Sequence, residues 1–192
     1  MLDAIIQREW DYRYYSFNSK WADYGEMASM RNGQGDEWFC VFGPPGVFLK
    51  GFDHESPMSP WTQDTQEVWP GVLDSIPEAF NSCVKEPAFS IQDTTFCVWR
   101  TNEDAHWKKG VVSYPGGEDP DGSGGLLFIL DGNPNTYKEW AEDYFEKSIS
   151  LPAIQQIYAH TALTPEIVCA LNPSIEFASI LGDAEEIAYP FV

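Results

Sequence analysis

The sequence predicts an α+β fold in which an antiparallel sheet, built from the N-terminal and middle segments, is packed by C-terminal helices. Short apolar runs alternate with glycine- and proline-rich turns in the first two thirds of the chain, whereas apolar residues recur at helical spacing after residue 133. Strands first and helices last is the order expected of an α+β domain. No repeat or low-complexity linker interrupts the 192 residues, so we expect one domain spanning residues 1–192.

A hairpin is the clearest β structure in the sequence. A turn cluster at 32–36 leads into an apolar strand at 37–42, and the Gly-Pro-Pro-Gly turn at 43–46 leads into a return strand at 47–52. Aromatic alternation or short apolar runs predict four more strands. These lie at residues 12–16, 94–100, 110–114 and 126–130.

The segment from 53 to 70 has no regular period and is interrupted by prolines. Long irregular loops in compact domains are often functional, so this segment is the first place to look for a site. The apolar residues that follow predict a helix over 72–84.

The last third of the chain is predicted to be helical. Asn133-Pro134 supplies an N-cap followed by proline in the first turn, and an aromatic stripe with charged residues opposite follows it. Lys138–Glu142 and Asp143–Lys147 have the i,i+4 spacing of helical ion pairs. Proline and glycine signals indicate further helices or turns beginning near 152, at 165–171 and over 174–181.

The chain is strongly acidic, with 30 acidic and 11 basic residues and a formal net charge of −19. The acidic excess runs through the whole chain, and no Lys or Arg follows Lys147. Such a charge repels phosphate backbones, which disfavours direct binding of DNA, RNA or an anionic membrane. It favours a basic protein partner, although an acidic surface that serves solubility alone explains the same composition.

The cysteines and the N-terminus indicate a cytoplasmic protein. Cys40, Cys97 and Cys169 sit inside apolar runs with no C-x-x-C pair, a pattern typical of buried, reduced thiols. The first ten residues are too polar for a signal peptide, and no apolar run approaches the ~20 residues that span a bilayer. We expect no cofactor and no metal.

Asp53-His54-Glu55 is the most suggestive short constellation, because it places an imidazole between two carboxylates at the start of the irregular loop. Carboxylates beside a histidine raise its pKa and can orient it as a general base or a metal ligand. Together with His106 these residues are the candidate catalytic set of an enzyme. The competing interpretation is a hydrogen-bonded histidine that only fixes the loop.

Tryptophans in the irregular loop suggest a binding surface. Trp61 and Trp69 flank prolines there and could form a platform for a sugar or a protein, or a lid over the core. Combined with the nearby carboxylates they define the predicted partner-binding residues. These are Asp53, Glu55, Trp61, Asp64, Glu67 and Trp69.

One short motif is excluded as a functional signal, and two common catalytic or phosphate-binding motifs are absent. Asp119–Gly124 resembles the start of a calcium-binding EF-hand loop, but Leu130 occupies the twelfth position where a bidentate glutamate is required. A glycine-rich turn explains it better. Neither a G-x-S-x-G elbow nor a phosphate-binding glycine loop is present.

The chain has one family resemblance. It rests on the acidity, on the aromatic content and on the run from Leu126 through Asp131-Gly132-Asn133-Pro134 to Ile149. In this general build it resembles small acidic bacterial immunity proteins, which neutralise toxins. The resemblance implies a binding protein that masks a basic partner, with carboxylates imitating phosphate. It assigns no site residue.

Three functional hypotheses therefore stand. The first is an acidic cytoplasmic binding protein, such as an immunity-type inhibitor. The second is a hydrolase-like or metal-dependent enzyme centred on Asp53, His54 and Glu55. The third is a structural protein whose charge serves solubility. Because no catalytic signature is present, the sequence favours a binding protein over an enzyme.

Overall fold

A computed structural model of the protein describes residues 1–23 and 25–192. Its five strands form a single sheet in the order β1-β2-β3-β4-β5. The α+β class is confirmed, and most of the helices follow the last strand along the chain. The strands are β1 (Tyr15–Ala22), β2 (Gly25–Arg31), β3 (Glu37–Gly43), β4 (Gly46–Phe52) and β5 (Phe96–Thr101).

The predicted hairpin is confirmed as β3 and β4. These strands pair antiparallel from Gly43 opposite Gly46 outward to Glu37 opposite Phe52. A two-residue connection fixes this register, since only Pro44 and Pro45 lie between the paired glycines. The same register brings the 32–36 turn and the segment after Phe52 to one end of the hairpin.

The chain divides into two compact units. The sheet unit consists of residues 20–127, and the helical unit consists of residues 1–19 with 128–192. An apolar core fills the sheet unit between the sheet and the segments that follow β4 and precede β5. Its buried residues are Met27, Phe39, Val41, Phe48, Met58, Val72, Phe80, Cys83, Phe89, Cys97 and Trp99.

The sheet unit also buries a charged side chain. Lys50 in β4 is fully buried, and its Nζ lies 3.2 Å from Glu37 Oε1 on β3. The same Nζ donates a hydrogen bond of 2.7 Å to the backbone oxygen of Asp93. Burial lowers the pKa of Lys50, and the negative charge of Glu37 opposes this effect.

The helices of the sheet unit are short: α2 (Asn81–Val84) and α3 (Ser123–Leu127). Those of the helical unit are α1 (Leu2–Ile6), α4 (Pro134–Phe145), α5 (Leu151–Tyr158), α6 (Pro165–Leu171) and α7 (Leu181–Ile187).

The helical unit follows the predicted signals closely. The side chain of Asn133 caps α4, with Pro134 in its first turn, and the side chain of Thr164 caps α6. Lys138 and Glu142 form the predicted i,i+4 ion pair. Lys147 lies beyond the end of α4 and donates to the backbone oxygen of Ile6 instead of pairing at helical spacing.

Polar contacts organise the centre of the helical unit. Asp3 is buried, and its carboxylate accepts hydrogen bonds from Tyr137 Oη at 2.6 Å and from the backbone N–H of Tyr15 at 2.8 Å. Within the same unit, Ser19 Oγ donates to the backbone oxygen of Glu186 in α7.

Several predicted elements are wrong. Residues 110–114 form no strand, and residues 126–130, predicted as a strand, lie in the end of α3 and a following 3-10 turn, Phe128–Asp131. The predicted helix at 72–84 begins only with a 3-10 turn at Glu78. Residues 10–12 form a 3-10 turn before β1, and the last helix continues past Gly182 to Ile187.

The cysteines divide into two groups. Cys40, Cys83 and Cys97 are buried, whereas Cys169 is exposed on α6, against the prediction of a buried thiol. Its neighbours Ile167 and Val168 face the core, and a helix turns the residue after them outward. Within residues 1–23 and 25–192, no helix combines the length and the apolar character needed to cross a membrane.

Candidate functional site

Three segments of the sheet unit meet at the open end of the β3–β4 hairpin. They are the 32–36 turn, residues 53–56 directly after β4, and the glycine-rich loop 119–123. Hydrogen bonds hold the third segment to residues 53–56. Ser56 Oγ donates to the backbone oxygen of Pro120, and Thr95 Oγ1 donates to that of Asp121 while accepting the backbone N–H of Asp53. Functional side chains from distant parts of the sequence therefore converge here.

Asp36 and His54 form the centre of this site. Asp36 Oδ1 lies 2.6 Å from His54 Nδ1 and also accepts the backbone N–H of His54 at 2.9 Å. The other oxygen, Oδ2, accepts a hydrogen bond of 2.5 Å from the side-chain amide of Asn32. These contacts fix the carboxylate and the imidazole ring relative to one another.

Asp53 completes the cluster. Its Oδ1 accepts the backbone N–H of Glu55 at 2.9 Å, and its carboxylate packs against Gly122. Gly122 has φ of +76°, and a Cβ at that position would overlap the Asp53 carboxylate. Only glycine fits both the backbone conformation and this close approach.

The electrostatics of the cluster follow from these contacts. The hydrogen bond to Asp36 raises the pKa of His54. Burial acts to raise the pKa of Asp36, but hydrogen bonds from His54 and Asn32 outweigh it, so this pKa is lowered. Burial, together with the charge of Asp36, raises the pKa of Asp53. The contact between His54 and Asp36 thus favours the charged form of each group, and Asp53 lies beside them.

The proposed catalytic residues are only partly brought together. Glu55 is 85% exposed, with Oε1 4.0 Å from His54 Nε2. The two histidines lie at opposite ends of β4. His106 follows Thr101, which pairs with Gly46 at the first residue of β4. His54 comes just after the last residue of the same strand. The ends of a seven-residue strand are about 20 Å apart, so His106 is not part of the site.

The predicted partner-binding residues lie on the loop that continues from this site. Glu55, Trp61, Asp64 and Glu67 are exposed, whereas Trp69 is half-buried. Trp69 packs against the sheet-unit core and donates from Nε1 to the backbone oxygen of Ser113.

Trp61 is the exception among these residues, because it is both exposed and fixed. The indole is 62% exposed, and its Nε1 donates a hydrogen bond of 3.1 Å to Asp93 Oδ1. The loop around it is closed by Gln63, whose side-chain amide donates to the backbone oxygens of Ser59 and Glu67.

Comparison of the chain with protein-family models, with curated proteins and with solved structures found no match. Function must therefore be argued from the geometry of the sheet unit.

Three residues of the site were missed by sequence reasoning: Asp36, Asn32 and Asp93. A signal for Asp36 was present, because counting outward from the Gly43–Gly46 pair places Asp36 opposite Asp53. Asn32 and Asp36 are also the ends of one polar turn, so their contact is local. No comparable signal marks Asp93, whose contact with Trp61 spans 32 residues between irregular segments.

Proposed function

We propose that the protein binds a basic protein partner through an acidic face on its sheet unit. We define the acidic face as Glu55, Trp61, Asp64, Glu67 and Asp93. No Lys or Arg occurs between Lys50 and Lys85, and the histidine of this loop, His54, is paired with Asp36. A basic partner would therefore meet carboxylates and one large aromatic ring without a competing lysine or arginine from the same segment.

The observation that carries this proposal is the exposed yet hydrogen-bonded indole of Trp61. Interface anchors are often tryptophans, and an anchor that is already ordered loses little side-chain entropy on binding. The face of an indole also attracts a guanidinium or ammonium group. The exposed carboxylates of the same loop would then pair with further basic groups, as in an inhibitor that imitates phosphates.

The same proposal includes a cytoplasmic location and a role of the immunity type, in which the protein masks the active surface of its partner. Binding of nucleic acid or an anionic membrane is not part of it, because the net charge of −19 repels both. The partner is defined only by its chemistry, namely a surface rich in arginine and lysine.

A matched pair of tryptophan variants tests the anchor. The probe is a synthetic arginine-rich peptide, and its affinity is measured by calorimetry at low and at physiological salt. Trp61→Ala is expected to weaken binding about tenfold, since loss of an interface anchor typically costs more than 1 kcal/mol. Trp107→Ala is the control, because Trp107 is 50% exposed in the same unit but is followed by Lys108 and Lys109.

Equal affinity losses in the two variants, or binding that does not weaken with salt, would contradict the proposal. The first result would mean that any exposed indole suffices, and the second that the carboxylates do not contribute.

A second pair separates the acidic face from net charge. Asp64→Lys with Glu67→Lys changes the total charge as much as Glu185→Lys with Glu186→Lys in α7. The first double variant is expected to slow peptide association about tenfold, and the second to slow it much less, since steering depends on charges near the contact. Equal effects would show that overall charge alone attracts the peptide.

The hydrolase hypothesis has one supporting observation, the Asp36–His54 hydrogen bond, which orients the imidazole as in a general base. The neighbouring hydroxyl, Ser56 Oγ, is occupied as a donor to Pro120. An activated-ester assay on the purified protein tests it: a rate above background that His54→Gln abolishes would favour the enzyme.

A further inference from the structure

The side chains of Asp36, Asp53 and His54 each offer a ligand atom, and these atoms lie within 4.8 Å of one another. An ion bound at about 2.0–2.2 Å from each ligand requires ligand atoms no more than about 4.4 Å apart. In a tetrahedral site the ligand atoms are about 3.3 Å apart, so atoms near the 4.8 Å limit would have to approach by about 1.5 Å through side-chain rotation. Among residues 1–23 and 25–192, this is the group of His, Cys, Asp and Glu side chains that meets such a distance limit.

We propose that Asp36, Asp53 and His54 bind one divalent first-row transition-metal ion, such as Zn²⁺. The donor set contains an imidazole nitrogen, which suits Zn²⁺ and its neighbours, whereas Ca²⁺ and Mg²⁺ prefer oxygen ligands alone. Three protein ligands leave at least one position for water or for a group from a partner.

The ion would take the place of the direct contact between His54 Nδ1 and Asp36 Oδ1, which are 2.6 Å apart. In a tetrahedral site two ligand atoms are about 3.3 Å apart, so these atoms would separate by about 0.7 Å. Metal binding would release a proton to solvent, because a ligating imidazole must be neutral.

Groups around the three ligands already hold them in place. Asn32 donates to the outer oxygen of Asp36, and the backbone N–H of Glu55 donates to Asp53 Oδ1. When Nδ1 of His54 binds an ion, Nε2 carries the proton and faces Glu55 Oε1 at 4.0 Å. A carboxylate that accepted this proton at hydrogen-bond distance would fix the ring and increase its basicity, and rotation of the exposed Glu55 side chain would bring it there.

The charge balance of the cluster also favours a cation. Two carboxylates stand beside a single imidazole, and the nearest loop contributes Asp119 and Asp121 but no Lys or Arg. A divalent ion would neutralise both carboxylates.

Titration of the full-length protein with Co²⁺, followed by visible absorption, tests the site. We expect one Co²⁺ per chain, displaced by Zn²⁺ and not by Mg²⁺. His54→Ala and the isosteric Asp53→Asn are each expected to weaken binding at least tenfold, and their thermal unfolding shows whether they fold. His106→Ala is the control, because His106 is an exposed histidine of the same unit.

Equal losses in His106→Ala and His54→Ala would overturn the proposal, because they would indicate adventitious binding to surface histidines. Unchanged affinity in a folded Asp53→Asn would also overturn it. The site does not depend on the proposed partner: Trp61→Ala should leave Co²⁺ binding unchanged, and loss of the metal by Asp53→Asn does not remove the exposed indole.

Discussion

The two units carry nearly the same excess of negative charge, but the carboxylates that carry it have different surroundings. The sheet unit has 17 acidic and 7 basic residues, and the helical unit has 13 and 4. In the helical unit, Arg8 and Arg13 both pair with Asp183, and Lys138 pairs with Glu142. In the sheet unit, a long loop without bases carries the exposed indole and leads from the Asp36–His54 pair.

This difference shows that acidity alone does not indicate a function in this protein. Neither residues 148–192 nor residues 51–84 contain a Lys or an Arg. Residues 148–192, however, fold mainly into helices around an apolar core. Irregular backbone gives the 51–84 segment its converging polar groups, since loops can present side chains that helical spacing keeps apart.

The largest difference between the two units is expected in how much stability is lost when an ion pair is removed, because the Lys50–Glu37 pair of the sheet unit is buried. Glu37→Gln is expected to lower the free energy of unfolding by about 3 kcal/mol, because it leaves the fully buried Lys50 without its carboxylate. Urea denaturation measures this value. The counterpart in the helical unit, Lys138→Gln on the surface of α4, should leave the midpoint almost unchanged.

Lys50→Met distinguishes a buried charge from a packing contact. Methionine fills a similar volume without a charge, so this variant should be close to the wild type in stability. A loss as large as that of Glu37→Gln would mean that the contact of Lys50 with the Asp93 backbone oxygen is the more important one.

Glycine substitutions provide a second contrast. Gly122 and Gly132 have nearly identical φ values of +76° and +75°, but only Gly122 is packed against another group, the Asp53 carboxylate. Gly132→Ala should cost about 1 kcal/mol for its left-handed backbone, and Gly122→Ala about 2–3 kcal/mol because the Asp53 side chain must also move. Denaturant unfolding of both variants measures the difference, and equal costs would show that the Asp53 side chain adapts freely.

The polar centre of the helical unit has a smaller predicted effect. Tyr137→Phe removes the hydroxyl that donates to the buried carboxylate of Asp3 and should cost about 1.5 kcal/mol. Tyr144→Phe on the same helix is the control, since Tyr144 is 43% exposed. If both variants have wild-type thermal stability, the bond from Tyr15 alone satisfies Asp3.

The smallest expected effect is the pH dependence of the Asp36–His54 pair. The pKa of His54 is raised in the folded protein. His54 therefore adds stability that is fully present below pH 6.5 and is lost as the pH rises through the folded-state pKa. Asp36, with a lowered pKa, adds stability that is present above 3.8 and is lost as pH falls through its folded-state value. The stability difference between wild type and His54→Gln should therefore be largest from about pH 4 to 6.5.

The ion pairs of Arg8 and Arg13 with Asp183 in the helical unit should make no pH-dependent contribution to stability near neutral pH. The titrating group there is the carboxylate of Asp183. Burial acts to raise its pKa, but hydrogen bonds from Arg13 and Arg8 outweigh this effect, so the pKa is lowered. A His54→Gln difference that persists unchanged to pH 9 would show that His54 acts by packing and not by charge.

Local signals account for what could be predicted from the sequence. The Gly43–Gly46 turn and the caps at Asn133 and Thr164 each act within a few residues, and the elements they define are confirmed. The apolar run at 126–130 was misassigned because a short apolar run suits a strand and a buried helix equally well. Residues 110–114 were misassigned because strand character alone does not supply a pairing partner.

The site was predictable only in part. His54, Asp53 and Trp61 were identified from their own segment, and the hairpin register could have added Asp36. Asp53 packs against Gly122, and Trp61 donates a hydrogen bond to Asp93. Both contacts join irregular segments, and no periodicity in the sequence specifies such contacts.

The outward position of Cys169 makes the native protein selectively reactive toward thiol reagents. Cys40, Cys83 and Cys97 are shielded by the core, and burial raises the pKa of Cys40 and Cys97 to about 12. A maleimide dye should thus couple at one position of α6 without any mutation. Opening of the sheet unit would expose the other three thiols, so the rate at which they become modified reports how often that unit unfolds.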